Sequence, residues 1–176
     1  DTDSESSDSA NVHDYKNGFN SDPSTKTDRI AWMWKRARGY FDVVAYTGTG
    51  SARTISHNLG AVPEMMWVKR RSGTRSWFVY HSALGNTGRI KLDTTDAGAT
   101  GYGDWTSTTP TSSVFSVGSN TNTNGNGETY IAYLFATVAG VSKVGSYTGD
   151  SSDGKIIDCG FTSGAKFVLI KCTTTV

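Results

Sequence analysis

The sequence predicts an all-β chain made of antiparallel β-sandwich units of the jelly-roll or lectin-like type, about 100 residues each, in tandem. One observation behind this prediction is the alternation of short apolar runs with stretches rich in glycine, serine, threonine and asparagine. The 20 glycines follow no period of three, which excludes a collagen-like chain. The other observation is an internal repeat, which is typical of proteins built from stacked units.

The repeat aligns residues 30–48 with residues 131–149 without a gap, at an offset of 101 residues. Seven of these positions are identical, and the apolar run 32–34 corresponds to the apolar run 133–135. Further along, after a one-residue slip, the apolar run 65–69 faces the run 167–171. The chain is therefore divided into residues 1–36, a linker or the tail of a preceding unit, residues 37–138, a complete sandwich unit, and residues 139–176, the start of a second and incomplete unit.

Seven segments carry the β-branched and aromatic residues that favour strands, each with turn residues nearby. Strands are predicted over 42–47, 52–56, 64–70, 77–81, 89–93, 113–117 and 129–136. Alternation in the last strand places Ile131, Tyr133 and Phe135 on one apolar face. Residues 65–68 are apolar on both faces, which predicts a central strand.

The repeat also predicts which strands are equivalent. Residues 30–35 and 131–136 are expected as last strands of successive units, and Tyr46 and Tyr147 as members of first strands. Residues 1–10 are acidic and serine-rich without an apolar pattern, so we expect a linker or surface stretch there. The chain begins without methionine or a signal peptide, which indicates part of a longer or processed polypeptide.

Charge and cysteine content exclude several classes of protein. A net charge of +1 is far from the basic imbalance of nucleic-acid binders, and the groups Arg36 with Arg38 and 69–71 are predicted to be solvated strand ends. Cys159 and Cys172 are too few for a disulfide framework and lack zinc-site spacing, so we expect free thiols. No apolar run approaches the roughly 20 residues of a membrane span, so membrane insertion is not expected.

Candidate catalytic and metal-ligating residues form no recognisable set, and we predict no enzyme activity, cofactor or metal. Asp93, Asp96 and Asp104 share one loop, where hard oxygen ligands could hold calcium, or paired carboxylates could cut a glycan. The third alternative is an ordinary polar loop. His57 and His81 lie at strand ends and turns, where hydrogen bonding to the backbone is the expected role.

Aromatic residues in and near the same loop suggest a glycan contact, because sugar rings stack on aromatic planes. The candidates are Trp77, Tyr102 and Trp105. The alternative is that both tryptophans belong to the sandwich core. Loops at the end of a sandwich are nonetheless a usual binding surface.

Several motifs of the complete unit occur together in one known kind of domain. They are GYFDVV at 39–44, YTG at 46–48, ISHNLG at 55–60, VPEMM at 62–66, WFVYH at 77–81 and PTSSVF at 110–115. With these motifs, residues 36–138 resemble a repeat domain found in tail-fibre and other virion structural proteins of marine tailed phages, cyanophages among them. The second copy departs from the pattern, since Cys159 replaces Asn58 and Ala165 replaces Pro63.

The resemblance implies a structural virion protein, most simply a tail-fibre segment that spaces or presents a host-binding surface. It implies a homo-oligomer, usually a trimer, that contacts other virion proteins and is assembled in the host cytoplasm. A capsid decoration or spike protein is the alternative within the structural class. A domain that binds, or less readily hydrolyses, host surface glycan is the alternative from another class.

The incomplete second unit predicts where subunits meet. Half a sandwich exposes an apolar face that a soluble monomer does not tolerate, and its open strand edge invites pairing. We therefore expect either that further chain completes the unit or that identical chains meet at residues 167–170, with Phe167 and Leu169 or Val168 and Ile170 inside the contact.

Overall fold

The structure, a computed structural model, describes residues 32–174. The expected linker at 1–10 and the first two residues of the predicted strand 30–35 lie outside this part. The strands are β1 (Phe41–Thr47), β2 (Arg53–Ser56), β3 (Met65–Arg70), β4 (Phe78–His81), β5 (Gly88–Lys91), β6 (Ala99–Thr100), β7 (Val114–Val117) and β8 (Thr129–Phe135). A 3-10 turn (Ser82–Leu84) and a four-residue helix, α1 (Thr121–Asn124), are the helical elements described. The prediction of an all-β chain is confirmed.

The strands form two antiparallel sheets. The larger sheet has the order β1-β8-β3-β4-β5-β6, and β2 pairs with β7 in the smaller one. Strand β8 lies between β1 and β3, and its Phe135 is opposite both Phe41 and Met65. β3 in turn lies between β8 and β4, which confirms the central position predicted from its two apolar faces.

One face of the large sheet packs on the small sheet. Met66, Val68 and Leu134 from the large sheet share a buried cluster with Ile55 and Phe115 from the small one. We call this side of the large sheet its inner face. Burial of such side chains stabilises the fold by roughly 1.5–3 kcal/mol each.

The opposite side, the outer face of the large sheet, is apolar as well. The buried residues of its cluster are Phe41, Trp67, Val79, Ile90 and Phe135. Trp34, from the segment before β1, and Val144, from the segment after β8, pack against this cluster. The alternation predicted for β8 is confirmed, because Phe135 and its neighbour Tyr133 belong to the outer face while Leu134 belongs to the inner one.

Two elements were not predicted from the sequence. β6 has only two residues and pairs with Gly88 and Arg89. Helix α1 has no apolar period and begins with a side-chain cap, since the Asn120 side chain accepts from Asn122 N–H. Such short elements depend on local hydrogen bonds rather than on a hydrophobic pattern.

Tandem units are not shown by the fold. Residues 32–36 and 143–174 contain no strand, although isolated bridges join Ala37 to Phe41 and Val138 to Ser142. Tyr46 lies in β1, whereas Tyr147 lies in a segment without regular structure. The equivalence of the two copies as folded units therefore stays a prediction. Among the described helices, neither has the length or apolar character to cross a membrane.

Candidate functional site

A shallow hollow lies beside β5, against the loop that follows it. It has a volume of about 210 Å³ and is lined by Arg89, Ile90, Lys91, Asp96, Ala97, Ala99 and Tyr102. Ligand pockets for drug-sized molecules usually measure about 300–1,000 Å³, so this hollow suits one small polar group or sugar ring.

A buried ion pair forms the base of this site. Arg89 Nη1 lies 2.5 Å from Asp104 Oδ2, and the carboxyl group is only 2% exposed. Asn122 Nδ2 donates to the other carboxylate oxygen at 3.2 Å. Burial raises the pKa of Asp104, and the favourable contacts with Arg89 and Asn122 offset only part of that effect.

The Arg89 guanidinium contacts two aromatic rings. It lies 5.0 Å from the ring centre of Phe78 and 3.7 Å from that of Tyr102, within cation–π range of each. The Tyr102 side of this stack faces solvent, since Tyr102 is 53% exposed. The exposed Tyr102 ring, which stacks on the buried Arg89 side chain, can offer a stacking surface to a ligand. Lys91 and Asp96 beside it supply one positive and one negative charge.

The three aromatic residues predicted for glycan contact do not form one plane. Trp105 is buried in the inner cluster, and its indole N–H donates to Gly88 O at 3.0 Å. Trp77 packs against the outer cluster, with its ring centre 6.0 Å from that of Tyr133. Tyr102 is the one member of the trio that the structure leaves mostly exposed, at the hollow.

The three aspartates of the loop have separate partners. Asp93 accepts from Trp77 N–H at 3.0 Å, and Asp96 pairs with Lys91 at 2.6 Å. Asp104 forms the buried ion pair with Arg89. Within residues 32–174, no group of three or more acidic, histidine or cysteine side chains is placed to hold a metal ion.

His57 and His81 both accept hydrogen bonds from the backbone. His57 Nδ1 accepts from Leu59 N–H at 3.2 Å, and His81 Nδ1 accepts from Ala83 N–H at 3.1 Å, where it caps the 3-10 turn. Burial lowers the pKa of both side chains, against smaller opposing contributions. Each ring therefore favours its neutral form, which can accept these hydrogen bonds.

The predicted subunit-contact residues 167–170 lie at the surface with alternating exposure. Phe167 and Leu169 are 42% and 44% exposed, whereas Val168 and Ile170 are 67% and 65% exposed. The Phe167 ring contacts those of Trp32 and Trp34. The cysteines are free thiols: Cys172 is exposed and Cys159 is half-buried.

Sequence reasoning missed Arg89 and misjudged Lys69. Lys69 is buried rather than solvated, and its ammonium group donates to Arg75 O at 2.8 Å. In their predicted strands Lys69 follows Val68 and Arg89 precedes Ile90, so these apolar neighbours could have indicated that each cation needed a nearby acceptor. Of the other predicted strand-end cations, Arg36 pairs with Asp42.

Comparison with known proteins identifies a family for this chain. A family model described as a domain of unknown function, DUF7483, matches residues 2–176. The chain belongs to the DUF7483 family. No curated protein matches the chain, and no solved structure does. The DUF7483 match spans all three regions that the repeat delimits, including the hollow and both apolar faces.

Proposed function

We propose that this DUF7483 chain is a non-enzymatic structural segment of a tailed-phage virion, a tail-fibre piece that spaces or presents a host-binding surface. In this proposal the chain consists of jelly-roll or lectin-like sandwich units in tandem. The resemblance of residues 36–138 to phage virion repeats supports the role.

The observation that carries the proposal is the second apolar face of the large sheet. An antiparallel sheet with one solvated face alternates apolar and polar residues, but β3 and β8 are apolar on both sides. Such a sheet needs a layer on each side. A unit that must be covered on its outer face suits a protein whose units stack on one another or on neighbouring chains.

Localisation tests this role directly. Antibodies raised against the chain would be applied to purified virions of a phage that encodes it and viewed by electron microscopy. Label along tail appendages is expected for a fibre segment. Label over the capsid lattice would favour the decoration or spike protein, and an unlabelled particle would contradict the virion role altogether.

Association into a homo-oligomer, which we expect to be a trimer, is the second part of the proposal. Apolar side chains remain exposed in the segments before β1 and after β8, among them Met33, Val141, Val168 and Ile170. Large exposed apolar patches mark interaction surfaces. A second copy of this chain is the occupant we propose, because fibre segments are built from identical chains.

Glycan binding is the second candidate function, and one observation favours it. Tyr102 presents an exposed ring at the hollow, held by the buried Arg89 and flanked by Lys91 and Asp96. A glycan array would compare the natural chain with Tyr102→Ala, using Tyr147→Ala as the control for an exposed tyrosine elsewhere. Binding lost in the Tyr102 variant alone supports the site, and equal signals in all three proteins contradict it.

Hydrolysis of glycan is tested separately. The chain should release no reducing sugar from host polysaccharide, because Asp93 and Asp104 are each committed to another group of the protein. Release that disappears in Asp93→Asn or Asp104→Asn, with the fold retained, would establish an enzyme instead.

A further inference from the structure

We propose that the outer face is self-complementary: it binds a three-stranded layer made of the repeat counterparts of β1, β8 and β3. Within the described residues, these counterparts are 142–148, 32–34 and 167–172 respectively, with 32–34 in the middle. The inference rests on the 101-residue repeat invoked above and does not depend on a virion role.

The turn before each copy has the same hydrogen bonds. Ala37 N–H donates to Phe41 O at 3.0 Å, and Phe41 N–H donates back to Ala37 O at 3.0 Å. At an offset of 101, Val138 and Ser142 exchange the same pair of bonds at 3.0 and 2.9 Å. Both turns contain a glycine with positive φ, Gly39 and its counterpart one repeat later.

Two more local features recur at the same offset. Gly50 and Ser151 have φ values of 71° and 61°, in the left-handed region that a residue other than glycine rarely adopts. The His57 side chain accepts the N–H two residues on, and its counterpart Asp158 accepts Gly160 N–H at 2.7 Å. The second copy thus keeps the turn geometry of the first, although its residues 143–174 contain no strand.

Counterparts from the two copies meet on the outer face. Trp34 packs on its own counterpart, Phe135, with ring centres 6.2 Å apart. Val144 joins the cluster that contains its counterpart, Val43. Contact between equivalent residues is the mark of a two-fold, isologous interface, in which the same patch is used on both sides.

The register of the segments supports the strand order. In the complete unit, Phe135 of β8 stands opposite Met65 of β3. The counterparts of these residues are Trp34 and Phe167, and their ring centres lie 5.6 Å apart. The alternating exposure of residues 167–170 fits a strand that turns Phe167 and Leu169 towards the outer face.

Cysteine cross-linking tests this pairing at positions away from the core. In the register of the complete unit, Met33 is the counterpart of Leu134, and it should stand opposite Val168 on one side and Lys143 on the other. Directly opposed residues of antiparallel strands have Cα atoms about 4.5–5.5 Å apart, which a disulfide can bridge. A pair displaced by two residues, Met33 with Ile170, is the matched control.

The three double-cysteine variants are made in a Cys159→Ser, Cys172→Ser background and equilibrated in a glutathione buffer. Met33 and Val168 are 61% and 67% exposed, so these substitutions leave the core intact. Both opposed pairs should close within one chain, with an equilibrium constant about tenfold or more above that of the displaced pair. Mass spectrometry identifies the linked peptides.

Equal closure of the displaced pair, closure of neither opposed pair, or links formed only between chains would each overturn the proposal. These outcomes are independent of virion labelling, so the layer and the virion role can fail separately.

Discussion

Breaking the buried ion pair beneath Tyr102 should destabilise the fold strongly. Asp104→Asn removes the charge that neutralises Arg89, whose side chain is only 11% exposed. Loss of one partner from a buried pair costs about 3–5 kcal/mol because the other charge is left uncompensated. The two aromatic rings that contact the guanidinium remain in the variant, so we expect the lower end, about 3 kcal/mol.

Urea unfolding followed by tryptophan fluorescence, together with thermal unfolding, measures this change. For a chain of this size, about 3 kcal/mol corresponds to a fall in Tm of about 6–12 °C. The matched control is Asp96→Asn, which breaks the solvent-exposed pair with Lys91 on the same loop and should leave the midpoint unchanged.

A double replacement separates two free energies: the destabilisation caused by one unpaired buried charge, and the net contribution of the ion pair to stability. Arg89→Met combined with Asp104→Leu removes both charges and should cost less than either single change. A midpoint for Asp104→Asn equal to that of the Asp96 control would refute the buried-pair reasoning. So would a double variant that loses the sum of the two single effects.

Three further predictions concern the loop and turns. Gly118→Ala should lower the free energy of unfolding by roughly 1–3 kcal/mol or more, because an added Cβ would lie 1.8 Å from Gly103 O. The control Gly149→Ala adds a Cβ that meets nothing within 4 Å, and it should leave the urea midpoint unchanged. Stability should fall as pH drops below about 6.5, since the lowered pKa of His57 means that the unfolded chain binds the proton more strongly. His57→Asn should therefore reduce the slope of stability against pH, and an unchanged slope would contradict this cause. Tyr102→Ala should keep its thermal midpoint within a few degrees, because the ring it removes is mostly exposed; a collapse of the fold would show that the ring is structural.

The strands were predictable because short β-branched and aromatic runs leave a clear alternation. The predicted range 129–136 differs from β8 by one residue, and the two apolar faces of residues 65–68 correctly placed β3 inside the sheet. What pattern cannot reveal is which distant strand pairs with which. The insertion of β8 between β1 and β3 depends on long-range packing, and short β6 has too few residues to leave a pattern.

The candidate site was predictable only in part. Composition pointed to the loop that contains Tyr102, Asp104 and Trp105, but not to the role of each residue. Trp105 is directed into the core, where its indole N–H finds a backbone acceptor, and this choice depends on the tertiary fold. The loop sequence alone does not contain Arg89, which supplies the charge that holds Asp104 in place.

Mass in solution tests most directly the claim that this chain is an assembling structural unit. Light scattering on a purified, size-fractionated sample gives the number of 18.9 kDa chains per particle without a shape assumption. The account predicts a defined oligomer, a trimer, that is weakened by the paired change Val168→Ser and Ile170→Ser at the exposed apolar positions. A stable, soluble monomer of the natural sequence at high concentration would contradict it.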